Sequence, residues 1–143
     1  MTESMTTSGA APEPPGLRGL PAPLQRVVAA AQDKKASDVV ILDLREVGAF
    51  TDYFVICSGH NPRQVKAIVD SVEEALRAVR IRPAHVEGYD HAEWVLLDCF
   101  DFVVHVFNRE TRLFYALDRL WGSAPRITLP AHDTRPAPGA ALP

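Results

Sequence analysis

The 143 residues have room for one hydrophobic core, and with 47% hydrophobic and 23% charged residues the chain has the composition of a folded globular protein rather than a disordered one. A formal charge of −3 argues against a protein that grips nucleic acid by neutralising phosphates, and favours an acidic or mixed face that meets a basic protein. No apolar run approaches the roughly 20 residues of a membrane-spanning helix, and the opening MTESMTTSGAAPEPPG lacks the basic and apolar regions of a signal peptide, so a cytoplasmic location is expected.

Residues 1–23 carry Pro12, Pro14, Pro15, Pro21 and Pro23 among small polar residues and read as a disordered leader. The proline-rich end, 128–143, reads the same way, which leaves one folded unit over 24–127. Within it, Leu24, Val27, Val28 and Ala31 recur at the spacing of one helical face, with Lys34 and Lys35 at the negative end of the dipole. DVVILDL and DYFVICSG are short, nearly continuous apolar runs, the pattern of strands buried on both faces. REVGAFT between them is too short for a helical crossover, so as neighbours they should be antiparallel.

A helix start follows, with Asn61 as N-cap, Pro62 in the first helical position and Gln64 where a capping box places Glu or Gln. Val65, Ile68, Val69, Val72, Leu76 and Val79 hold one stripe, while Arg63, Lys66, Asp70, Glu73 and Arg77 face water. IRPAHVEGYDHAE reads as a polar connection. EWVLLD and DFVVHVF then form a hairpin in which a turn at Cys99 and Phe100 sets Asp98 opposite Asp101 and Trp94 opposite His105. Trp94, Leu96, Val103, His105 and Phe107 thereby share one side. Finally, NRETRLFYALDRLWG reads as a helix capped by Asn108 and stopped by Gly122, with Leu113, Leu117, Leu120 and Trp121 inward. The order α-β-β-α-β-β-α implies an α/β domain with a mixed sheet.

The candidate chemistry is thin. Asp98 and Asp101 have D-x-x-D spacing rather than two carboxylates on one strand face, and polar residues flanking a turn are the ordinary reading. CSGHNPRQV has neither a dinucleotide fingerprint nor a P-loop, so Gly59 is read as the strand-to-helix turn. His85, Asp90, His91, Cys99 and His105 lack compact metal-ligand spacing. Cys57 and Cys99 lie in apolar segments with no partnered base and read as reduced core thiols. No catalytic residue, cofactor or metal is expected. Trp94, Tyr89, Phe107, Tyr115 and Trp121 instead supply the aromatic anchors common at protein interfaces, although for Trp121, at a helix end, core is the ordinary reading.

The succession DKKASDVVILDLR, TDYFVICSG, RQVKAI, VEG, EWVLLDCFDFVVHVF and RLFYALDRLWG resembles the ribosomal silencing factor, or Iojap, family over 24–127. That resemblance implies a nucleotidyltransferase-like α/β fold, a mixed sheet packed with helices and lacking the transferase's catalytic residues. It implies no enzyme, but a factor that binds ribosomal protein L-fourteen on the large ribosomal subunit and sterically blocks the small subunit. Translation would thus be repressed under nutrient limitation. The matching signature covers Asp52, Tyr53 and Phe54; Trp94, Leu97 and Asp98; His105 and Phe107; and Tyr115, Leu117, Leu120 and Trp121. From it, Trp94, Leu97, Asp98, His105, Phe107 and Tyr115 are taken as partner-binding residues. The chain departs from the family pattern at Phe100, where a Gly usually precedes the second Asp, at HNPRQV, where the turn is usually richer in Ser, and at Ala116, where an acidic residue is common. Two other readings stay open: a nucleotide-dependent enzyme that kept the fold, and a homodimeric adaptor burying the same patch between two copies.

Overall fold

The computed structural model describes residues 19–115 and 124–129, with only the backbone for 113–115. The apolar stripe at Leu24, Val27, Val28 and Ala31 forms α1, Ala22–Asp33, and every one of these side chains is buried. The two apolar runs become β1, Ser37–Asp43, and β2, Tyr53–Gly59. They pair antiparallel as expected, with Leu42 opposite Phe54 and Asp43 opposite Tyr53. All seven residues of β2 are buried, which explains why its sequence shows no alternation of apolar and polar residues.

Next comes α2, Pro62–Ala78, whose N-cap is Asn61: its side chain accepts from the Gln64 N–H at 2.8 Å. Gln64 completes the cap one residue further back than the ideal box, since its Oε1 accepts from the His60 N–H at 2.6 Å. Val65, Ile68, Val69, Val72 and Leu76 are buried, and Val79 lies just past the helix as its C-cap. The Ser71 hydroxyl donates to the Ala30 carbonyl at 3.0 Å and ties α2 to α1.

Two strands were not visible as such in the sequence. Within the polar connection, His85–Glu87 forms β3, exposed at every residue, and beyond the third helix Arg126–Thr128 forms β6. Neither carries an apolar alternation, because each is a three-residue edge strand held by backbone pairing to one neighbour. With β4, Trp94–Asp98, and β5, Phe102–Asn108, they complete a six-stranded mixed sheet in the order β3-β4-β5-β2-β1-β6. Its one parallel pair is β2 with β5, Tyr53 opposite Phe102 and Gly59 opposite Asn108. Leu129, just past β6, is buried and its N–H donates to the Val39 carbonyl.

The β4–β5 hairpin corrects the expected register. Asp98 lies opposite Val103 rather than Asp101, and Trp94 opposite Phe107 rather than His105. The Cys99 N–H donates to the Phe102 carbonyl, so the two-residue loop is Phe100 and Asp101, one position later than expected. Phe100 adopts φ +68°, and the Asp98 carboxylate accepts its N–H at 3.0 Å. Because partners slide by two, every side chain keeps its predicted face.

The sheet therefore has two faces of different character. Val39, Ile41, Val55, Cys57, Val95, Leu97, Val104 and Val106 meet the buried stripes of α1 and α2 in the larger core. Val40, Leu42, Phe54, Ile56, Val103 and Phe107 build a smaller cluster on the other face, with Trp94 and Leu96 packed against it partly exposed. After β5, α3 begins at Arg109 and is described to Tyr115. Asn108 caps it as expected, its Oδ1 accepting the Glu110 N–H at 3.0 Å.

Candidate interaction surface

On β4, burial alternates. Val95 and Leu97 are fully buried against the helices, whereas Trp94, Leu96 and Asp98 on the opposite face are half-buried. Nothing in the strand's own chemistry requires this, since Leu96 is as apolar as Leu97; it follows from α1 and α2 covering only one face.

Trp94, His105 and Phe107 come together as the sequence suggests. The Trp94 and Phe107 rings stack at 5.0 Å between centroids, and His105 meets the edge of Phe54 at 4.5 Å. Although Trp94 and His105 are diagonal rather than directly opposite, the indole N–H donates to His105 Nδ1 at 3.1 Å. An indole N–H only donates, so Nδ1 must be the unprotonated ring nitrogen and the proton sits on Nε2. That Nε2 is buried and has no hydrogen-bond partner among the described residues. Burial pushes the imidazole's pKa from 6.5 down to about 3, which keeps the ring neutral. His105 is 3% exposed, so it orients Trp94 from beneath rather than presenting its own atoms.

The other proposed contacts fall elsewhere. Leu97 has no exposed surface and faces the helices, and Phe107 is equally buried as the floor of the Trp94 stack. Asp98 stands at the far end of β4 from Trp94, where it caps the hairpin loop. Tyr115 closes the described part of α3 without a described side chain, and Leu117, Leu120, Trp121 and the Gly122 stop lie outside the described residues.

Among the described residues, the acids and thiols weighed as candidate catalysts lie apart or are engaged elsewhere. The Asp98 carboxylate is engaged in the turn, and Asp101 is exposed on its tip. Burial pushes the thiols of both Cys57 and Cys99 up to about 12, far from the thiolate a nucleophile needs. Gly59 serves close packing: a Cβ there would lie 3.0 Å from Val65 Cγ2 and 3.1 Å from the Val65 backbone nitrogen. Sequence patterns did not single out Phe50, and marked Phe100 only as an unusual turn residue; the two are 78% and 76% exposed. The one available signal was an aromatic residue in a hairpin turn that favours Gly or Asn.

The family profile described as "Ribosomal silencing factor during starvation" matches residues 19–141. The chain belongs to the ribosomal silencing factor family. It is 42% identical over 106 residues to the ribosomal silencing factor of Halalkalibacterium halodurans, covering 74% of this chain and 91% of that one. The Bacillus subtilis ribosomal silencing factor is 41% identical over 106 residues, with 74% and 90% covered. A crystal structure from Bacillus halodurans superposes with a TM-score of 0.65 at 40% identity, covering 74% of this chain and 96% of that chain. The maize chloroplast protein Iojap is a longer relative, 32% identical over 106 residues that make up 74% of this chain and 46% of its own. The mixed six-stranded sheet with helices is thus the fold of this family, and no helix among the described residues is long and apolar enough to cross a membrane.

Proposed function

We propose that this protein silences the large ribosomal subunit: it binds ribosomal protein L-fourteen and blocks the small subunit sterically, with no bond made or broken. Family membership carries this reading, because the relatives that match nearly end to end are named for ribosomal silencing. A mouse relative, 29% identical over 101 residues covering 68% of this chain and 44% of its own, is named for mitochondrial assembly of the ribosomal large subunit. Supporting features are the half-buried face of β4 opposite the helices α1 and α2, with Trp94 held by His105 and floored by Phe107, and the acidic balance of the chain. Trp94, Leu96 and Asp98 are the members of this face with surface to offer; Leu97, His105 and Phe107 would act by holding them in place, and Tyr115 would extend the contact through α3.

Steric silencing needs only that each bound copy remove one large subunit from the joining equilibrium. Purified subunits sedimented through sucrose gradients should show joined ribosomes falling as the protein is added, and Trp94→Ala should need about tenfold more protein for the same effect. Unchanged joining at saturating protein refutes the reading. Capture of isolated L-fourteen by the wild-type chain, and not by Trp94→Ala, tests the named partner.

A further inference from the structure

We infer that the loop tips at the Tyr53/Phe102 end of the sheet form a second docking surface, on which Phe50 and Phe100, rimmed by Asp52, Asp98 and Asp101, engage a basic protein face. Resting on the ribosomal reading above, it assigns that face to a protein of the large subunit.

Three observations converge. First, the most exposed large apolar side chains among the described residues are Phe50 and Phe100, at 78% and 76%. They sit on different loops, one joining β1 to β2 and the other closing the β4–β5 hairpin. Second, those loops are clamped together: the Thr51 hydroxyl donates to the Phe100 carbonyl at 2.8 Å, and the Asp52 N–H donates to the Asp101 carbonyl at 3.1 Å. Thr51 is itself buried, so the clamp is sheltered from water. Phe50 is further steadied by an edge contact with Phe54, 6.2 Å between centroids.

Third, Phe100 sits at φ +68°, a conformation that disfavours a side chain, while its ring contributes little to the core. Its backbone is fully committed, the N–H to Asp98 and the carbonyl to Thr51, and neither bond requires an aromatic side chain. A strained residue that exposes its apolar ring points to a use for that ring outside the molecule.

The rim identifies the partner's chemistry. Asp52 and Asp101 are exposed and Asp98 is half-exposed, and no ion pair engages them among the described residues. Arg45 nearby is committed to Asp43, through Nε at 3.0 Å and Nη2 at 2.8 Å. Aromatic anchors inside an acidic rim suit a surface rich in Lys and Arg, and would repel the phosphates of exposed RNA.

The test uses the full-length chain and purified large ribosomal subunits, with affinity measured at several salt concentrations. Phe100→Gly and Phe50→Ser should each weaken binding about tenfold or more, as for central aromatic anchors. Asp52→Asn with Asp101→Asn should flatten the salt dependence. Thermal unfolding of Phe100→Gly should match or exceed wild type, since Gly accepts φ +68° freely, so that lost binding cannot be lost folding. Wild-type affinity in both Phe variants overturns this surface while leaving the ribosomal reading intact. Absence of wild-type binding to large subunits refutes that reading and this surface with it. Equal losses in binding to protein-stripped ribosomal RNA overturn the assignment to a protein face.

Discussion

His105 makes stability depend on pH because burial separates its folded from its unfolded pKa. In the unfolded chain its imidazole takes up a proton near 6.5, whereas the folded protein, with the ring packed among Phe54, Trp94 and Phe107, holds it neutral down to about 3. Below the unfolded value the unfolded state binds one more proton, so the stabilisation is complete above that value and is lost as pH falls. The slope approaches about 1.4 kcal/mol per pH unit, and integration from about pH 8 to about pH 5 gives a loss of roughly 2 kcal/mol. Asp43, whose pKa is lowered by its hydrogen bonds to Arg45, acts below its unfolded value of 3.8 and so outside this window. His105→Gln keeps an acceptor for the Trp94 indole and does not titrate. Urea unfolding of both proteins across the window should show wild-type stability falling by about 2 kcal/mol more than that of the variant, whatever their offset at high pH. Parallel curves would mean that the imidazole is protonated or solvated in the folded state, and the account of Trp94 held by a buried neutral histidine would fail.

Two further substitutions probe the framework that holds the surface. Gly59→Ala should cost about 1–3 kcal/mol in urea unfolding, because the new methyl meets the Val65 side chain and backbone at 3.0–3.1 Å. Asn61→Ala should cost about 1 kcal/mol by the same measurement, since it strips the Gln64 N–H of its cap.

The elements that the sequence shows plainly are those that bury a periodic stripe. The faces of α1 and α2, the cap at Asn61 and the unbroken burial of β2 follow from hydrophobic spacing and from local hydrogen-bond chemistry. β3 and β6 escape because edge strands of three residues are held by backbone pairing, which leaves no mark on side-chain pattern. The hairpin register was displaced for a related reason. Phe100 in the left-handed region is a local violation, and its compensation, the Asp98 cap with the Thr51 clamp, comes partly from a loop 49 residues away. For the candidate surface, the pairing of Trp94 with His105 was legible from a shared strand face. Which members are exposed was not, because that depends on helices α1 and α2 choosing the Leu97 side.

The parallel contact of β2 with β5 also bears on how the chain folds. Each strand's antiparallel neighbour, β1 or β4, is its close companion in sequence, so two hairpin-like halves can form from local contacts. The seam between them joins Tyr53–Gly59 to Phe102–Asn108 across the whole of α2 and the β3–β4 segment. Closing so long a loop costs entropy before any seam contact is gained, which makes the docking of the halves the natural slow step in folding. Until it occurs, the Val55, Ile56, Val104 and Val106 segments are unpaired apolar edges, the form in which a growing chain is most exposed to aggregation.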